Sequence, residues 1–277
     1  MTRSIALAAL TVLELTPPQM VDCAAQAGYS HLGLRLIPAT PTEPQHATIG
    51  DTPLMREVMA RLAATGIGVL DVEILRLQPD TDVRDFLPVL ETAARVGARN
   101  ALIAGNDPEE ARLIDHFGAL CDLAAPFGIT PSIEPMPWTD CRDFAQGARI
   151  VRAVNRANAG LLIDPIHFDR GGSHANEIGR VPPAWLHYAQ LCDAPAARPT
   201  DSATLLLQAR AERLLPGAGG LDLAGILRAL PVTTPLSLEI PMATLALTVP
   251  ALERARLALA ATRALLQRLA LENAPAV

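Results

Sequence analysis

The chain has 277 residues, half of them hydrophobic, with few aromatics and a formal net charge of −6. That length matches one (β/α)8 barrel and supports a large aliphatic core. All 23 basic residues are arginine, which excludes a Schiff-base aldolase, a lysine-anchored pyridoxal enzyme and a Walker-type phosphate loop, while the acidic balance argues against tracking a nucleic-acid backbone.

The N-terminus superficially resembles a signal peptide, yet Glu14 and Pro17-Pro18 follow with no small-residue cleavage site. A first strand and loop are predicted instead, in a cytoplasmic protein with no membrane span. Short apolar runs then alternate with amphipathic stretches about every thirty residues, the pattern of βα units. Strands are predicted over 5–10, 31–36, 68–74, 100–104, 130–134, 160–163, 188–192 and 236–240. Helices are predicted over 18–28, 53–66, 83–97, 107–127, 141–157, 175–181, 221–230 and 247–271. Asp107-Pro108 reads as a helix start, and Gly66, Gly97 and Gly128 as left-handed helix ends. The strict alternation predicts an α/β fold, a single (β/α)8 TIM barrel over 1–277, with an open doubly wound sheet as its rival. Two connections, 38–51 and 193–220, exceed what a barrel needs, and both fall on the face formed by the carboxyl ends of the strands. The four cysteines form no CxxC pair, so reduced core residues are expected.

Four strand-like runs stop on an oxygen ligand shortly before a proline. They carry Glu134 before Pro135, Asp164 before Pro165, Gln190 with Asp193 before Pro195, and Glu239 before Pro241. Buried carboxylates are costly unless they converge on positive charge, and in a parallel barrel the strand ends are where they would meet. Oxygen-only donors suit Mg2+ or Mn2+ best, with Co2+ or Zn2+ as alternatives, and no organic cofactor is expected. The competing reading of each acid is a strand cap or a partner for an arginine. Gln190 and Asp193 face opposite sides of an unbroken strand; Gln190 is the preferred ligand, with Asp193 just past the strand end. His167 could fold back over the ion as a substrate hydrogen-bond donor or further ligand. Arg35 and Glu73 could bind substrate hydroxyls or pair with each other, and Arg213 could reach an anionic substrate group. The glycines at 217, 219 and 220 are a weak anion cue.

At these positions the chain resembles the xylose isomerase-like TIM barrel superfamily, in its sugar phosphate isomerase/epimerase branch, which includes hydroxypyruvate isomerases and inosose dehydratases. The resemblance spans nearly the whole chain and rests on Glu134, Asp164 with His167, Gln190 ahead of Asp193, Glu239, and the run from Arg213 to Gly219. Gln190 stands where many epimerases have histidine, as in hydroxypyruvate isomerases. The arginine that epimerases carry shortly after that ligand is missing, position 196 being alanine. Both departures point away from a ketose epimerase.

The expected activity is a divalent-metal-dependent isomerase or epimerase acting on a sugar or small hydroxy-keto acid through a metal-bound enediolate. Glu134 and Glu239 would move the proton, with His167 and Arg213 steadying substrate oxygens. A dehydratase of the same superfamily is the nearest rival, and a non-catalytic sugar-binding barrel the rival from another class. An endonuclease would want more histidine and a basic groove. The superfamily further implies a homodimer or homotetramer.

Overall fold

Strand order decides between the two predicted architectures. The protein is described here by a computed structural model covering residues 3–272; Met1, Thr2 and 273–277, the ends of the domain predicted over 1–277, lie outside the described residues. The strands are β1 (Ile5–Leu7), β2 (His31–Arg35), β3 (Gly68–Leu77), β4 (Asn100–Gly105), β5 (Thr130–Glu134), β6 (Gly160–Leu161), β7 (Ala189–Leu191) and β8 (Leu236–Leu238). All pairings are parallel, in the order β6-β5-β4-β3-β2-β1-β8-β7. A parallel bridge between Ile163 and Ala189 joins the two ends, with the Gln190 amide donating to the Ile163 carbonyl at 2.9 Å. The sheet therefore curls into a TIM barrel, and the open sheet is excluded.

The helices are α1 (Pro17–Ala27), α2 (Pro53–Thr65), α3 (Leu87–Arg95), α4 (Glu110–Ala124), α5 (Phe144–Val154), α6 (Pro165–Arg170), α7 (Ser202–Arg210), α8 (Leu223–Ala229), α9 (Ala243–Ala246) and α10 (Ala251–Glu272). Local chemistry explains their ends. Thr52, Asp143, Asp201 and Asp222 each accept a hydrogen bond from a first-turn amide, satisfying a donor that has no partner inside the helix. Gly66, Gly97 and Gly128 all have positive φ. The helix predicted from 107 begins only at Glu110, because the Asp107 carboxylate accepts from the Glu109 amide and is clamped by Arg112 at 2.7 Å. The helix predicted over 247–271 corresponds to α10 and begins later, at Ala251, while the short α9 lies wholly ahead of the predicted span. Ala255, Ala258, Leu259, Thr262, Leu265 and Leu269 form one buried stripe along α10, at the spacing of a single helical face.

The core has two parts. A large aliphatic layer lies between sheet and helices, and a smaller group including Ala6, Leu70, Leu102, Leu162 and Tyr188 fills the barrel interior. Strand alternation places Ser132 with Glu134, Leu162 with Asp164, and Ser237 with Glu239 on that interior side. The interior becomes polar toward its carboxyl end. Among the described residues no helix is long and apolar enough to cross a membrane.

Candidate active site

Three features hold the chemical groups at the carboxyl mouth. Glu134 ends β5, Asp164 follows β6 as the N-cap of α6, and Glu239 follows β8. Asp164 Oδ1 accepts from the Ile166 amide at 2.9 Å. The short helix that Asp164 caps carries His167 back over the mouth, so that Nε2 lies 3.8 Å from Glu134 Oε1 and 4.0 Å from Asp164 Oδ2. Glu134, Asp164 and His167 each offer a ligand atom within 4.8 Å of the others. Pairing of Ile163 with Ala189 brings Asp164 and Gln190 to adjacent positions.

Arg213 is placed by a clip that the sequence did not disclose. Asp193 and Leu214 exchange backbone hydrogen bonds at 2.9 and 2.8 Å, and the Arg213 amide donates to the Pro241 carbonyl at 2.9 Å. The segment 212–214 is thereby sewn between the ends of β7 and β8. From there the buried guanidinium donates through Nη1 to Asp164 Oδ2 at 2.6 Å and forms an ion pair through Nη2 with Glu239 Oε2 at 2.8 Å. Further bonds reach the Glu239 carbonyl at 2.9 Å and the Ala209 carbonyl at 2.7 Å. Pairing with arginine, the competing reading of these acids, thus describes Asp164 and Glu239 but not Glu134.

The other predicted residues line the same mouth. Arg35 lies 3.4 Å from Glu73 and 2.9 Å from Glu43, with Glu239 at 4.0 Å. Glu73 does not end its strand, since β3 continues to Leu77 past a register irregularity between Val72 and Leu75. The Asp193 carboxylate accepts from the amides of Ala194, Gly217, Gly219 and Leu221 at 2.8 to 3.1 Å. Gly217 and Gly219 thus give their N–H groups to Asp193 and Gly220 gives its own to the Ala194 carbonyl, which leaves none of these three amides for an external anion. Sequence reasoning missed Trp138, whose ring stands edge-on to His167 with centroids 4.8 Å apart. Its position four residues beyond Glu134, in the loop after β5, was a usable signal. It also missed Arg76 and buried Asp71.

Burial dominates the electrostatics. Desolvation, then the charges of Asp164 and Glu239, hold Glu134 well above the ordinary carboxylate range. Asp71 is raised by burial and by Glu73 and Glu239. Glu239 is pushed up to about 7, chiefly by burial, against the pull of Arg213. For Asp164, burial is overcome by Arg213, His167 and the Ile166 amide, which keep it below its ordinary value. His167 falls to about 4 through desolvation and is neutral near pH 7.

Donor chemistry and charge fit a divalent cation. Glu134 Oε1 and Gln190 Oε1 are buried without a hydrogen-bond partner, as is His167 Nδ1. Asp71, Glu73, Glu134, Asp164 and Glu239 crowd one buried region whose guanidinium charges come from Arg35 and Arg213. Orphaned oxygens and excess acid are what a bound cation would satisfy.

The sequence model of the family described as xylose isomerase-like TIM barrel matches residues 21–265. The chain belongs to that family. A 3-dehydroshikimate dehydratase of Pseudomonas aeruginosa is 32% identical over 138 residues, covering 48% of this chain and 21% of the relative. An inosose isomerase of Bacillus subtilis is 30% identical over 122 residues, 42% of this chain and 41% of the relative. The chain thus spans under half the length of these curated relatives, both enzymes. In fold it is similar to the IOLI protein, whose crystal structure carries a zinc atom. The two share a TM-score of 0.77 and 19% identity, over 96% of this chain and 98% of that one.

Proposed function

We propose that this family member is a divalent-ion-dependent isomerase or epimerase that moves a proton next to the carbonyl of a sugar or hydroxy-keto acid. One observation carries the reading: Glu134, Glu239 and His167 all open on a single cavity of about 380 Å³ at the barrel mouth. Glu134 and Glu239 sit three strands apart, so they face a bound ligand from different sides.

Glu134, Asp164, Gln190 and Glu239 would hold the ion, Mg2+ or Mn2+ by donor type. When bound, a divalent ion supplies Lewis-acid stabilisation of negative charge on substrate oxygens. The chain's own residues then divide the work. Burial holds Glu239 at about 7 without the ion, and a bound cation would lower it, leaving an ionised carboxylate for proton removal near neutral pH. Glu134, raised well above the usual range, is suited to carry the proton on the other side. Neutral His167 can exchange a hydrogen bond with a substrate oxygen while Glu134 stays within reach. Arg35 and Glu73 offer a donor and an acceptor for hydroxyls on the cavity wall. Arg213 holds Asp164 and Glu239 in place and screens their charge.

A second reading, a dehydratase, is favoured by the 3-dehydroshikimate dehydratase relative and by Glu134, raised above the ordinary carboxylate range, which suits it to give a proton to a departing hydroxyl. Mass analysis of products from a panel of ketoses and hydroxy-keto acids tests both readings. An isomerase conserves substrate mass, a dehydratase loses one water, and either activity stops when a chelator removes the ion. Turnover that persists after full chelation rejects the proposal.

A further inference from the structure

Four arginines line the cavity: Arg35, Arg76, Arg210 and Arg213. Two of them are neutralised in the wall, Arg35 by Glu43 and Glu73, and Arg213 by Asp164 and Glu239. The other two are not. Arg76 is half-buried and donates only to neutral oxygens, Asn106 Oδ1 and the Ala39 carbonyl, each at 3.2 Å. Arg210, the last residue of α7, holds its guanidinium 5.8 Å from the centre of the Trp138 ring and forms no ion pair among the described residues. Burial depresses Arg76, the charges of Arg210 and Arg35 add to the effect, and the more distant carboxylates of Glu43 and Glu134 offset it only in part. For half-buried Arg76, a guanidinium partly withdrawn from water with no carboxylate paired to it is unfavourable by itself. Arg76 and Arg210 line one cavity, and each guanidinium carries a planar fork of donors of the kind that suits an oxyanion.

Charge then orients the ligand. The floor is acidic, with Glu73, Glu134 and Glu239, and would repel an anion. The rim at Arg76 and Arg210 attracts one. We infer that Arg76 and Arg210 form an anion subsite, so that the substrate is a polyhydroxy-carbonyl compound bearing a carboxylate or phosphate, held with its anionic end at the rim and its reacting carbons on the floor. The inference deepens the proposed function and rests on its reading of this cavity as the substrate site.

Titration calorimetry with three probes on one sugar frame tests it: D-glucuronate, D-glucose 6-phosphate and neutral D-glucose. The expected result is that one or both anions bind at least about tenfold more tightly than glucose, the preferred anion telling carboxylate from phosphate. Arg76→Gln and Arg210→Gln should each lose about tenfold for the anions and stay within about twofold for glucose. Arg210 is exposed at the end of its helix, so its variant remains informative if the Arg76 variant folds poorly. Anions that bind no better than glucose, or not at all, overturn the subsite, as does unchanged anion affinity in the Arg210 variant. The titration needs no turnover. A silent barrel would still show the anion preference, whereas an enzyme for neutral sugars would turn over without it.

Discussion

Arg213 Nη1 lies 2.6 Å from Asp164 Oδ2 in a fully buried pair, and the same guanidinium reaches Glu239. One side chain therefore stands against two of the carboxylates that an incoming cation would use. Arg213→Met leaves Asp164 buried and unpaired, which should cost about 3–5 kcal/mol in chelator-treated protein. Added Mn2+ should recover much of that loss, and calorimetry should show Mn2+ binding at least about tenfold more tightly than in wild type, because a competing positive charge is gone. Unchanged Mn2+ affinity would show that Arg213 does not oppose the ion.

Asp193 anchors the loop that delivers Arg213, through four backbone amides. Asp193→Ala leaves those donors without their acceptor and should destabilise the fold by about 2–4 kcal/mol. Hydrogen exchange should rise over 214–221 while the strands stay protected. Protection equal to wild type in that segment would remove Asp193 from this role.

The pH dependence of stability follows from the buried acids. Glu134 keeps its proton in the folded state at pH values where the unfolded chain, with its ordinary value of 4.5, has lost it. Stability of ion-free protein therefore falls as pH rises above that value. His167 works in the opposite sense: lowered to about 4 from 6.5, it adds stability as pH rises across that interval. Above roughly pH 6.5 the carboxyls prevail. Melting temperatures in chelator should drop as pH rises past about 6.5. Glu134→Gln, which resembles the protonated acid and does not titrate, should drop less and be at least as stable at the upper end. Equal slopes for both proteins would contradict the assignment.

Much of this site was legible because the strands announce their ends. Runs such as Ser132-Ile133-Glu134 and Leu161-Leu162-Ile163-Asp164 are apolar until a carboxylate, and strand alternation alone puts that carboxylate inside the barrel. Other parts left weaker traces. Helix α7 buries only Ala209 and leaves Leu207 55% exposed, so it shows no apolar stripe and reads as loop. Helix α6 has only six residues, beginning at Pro165 directly after its cap Asp164, and so reads as a turn. Arg76 follows the irregularity in β3, past which alternation no longer tells which residues face inward. The pairing of Arg213 with Asp164 depends on a clip between two strand ends far apart in sequence, which no local pattern encodes.

Solvent deuterium uptake tests the central claim, that Glu239 and Glu134 move a proton next to a carbonyl in this cavity. Wild-type protein loaded with Mg2+ or Mn2+ should introduce deuterium into the carbon beside the carbonyl of its substrate among ketoses and hydroxy-keto acids. Uptake should be lost in Glu239→Gln, with that variant still folded and still binding the compound. Full uptake by folded Glu239→Gln, or none by loaded wild type across compounds that it demonstrably binds, would contradict the account.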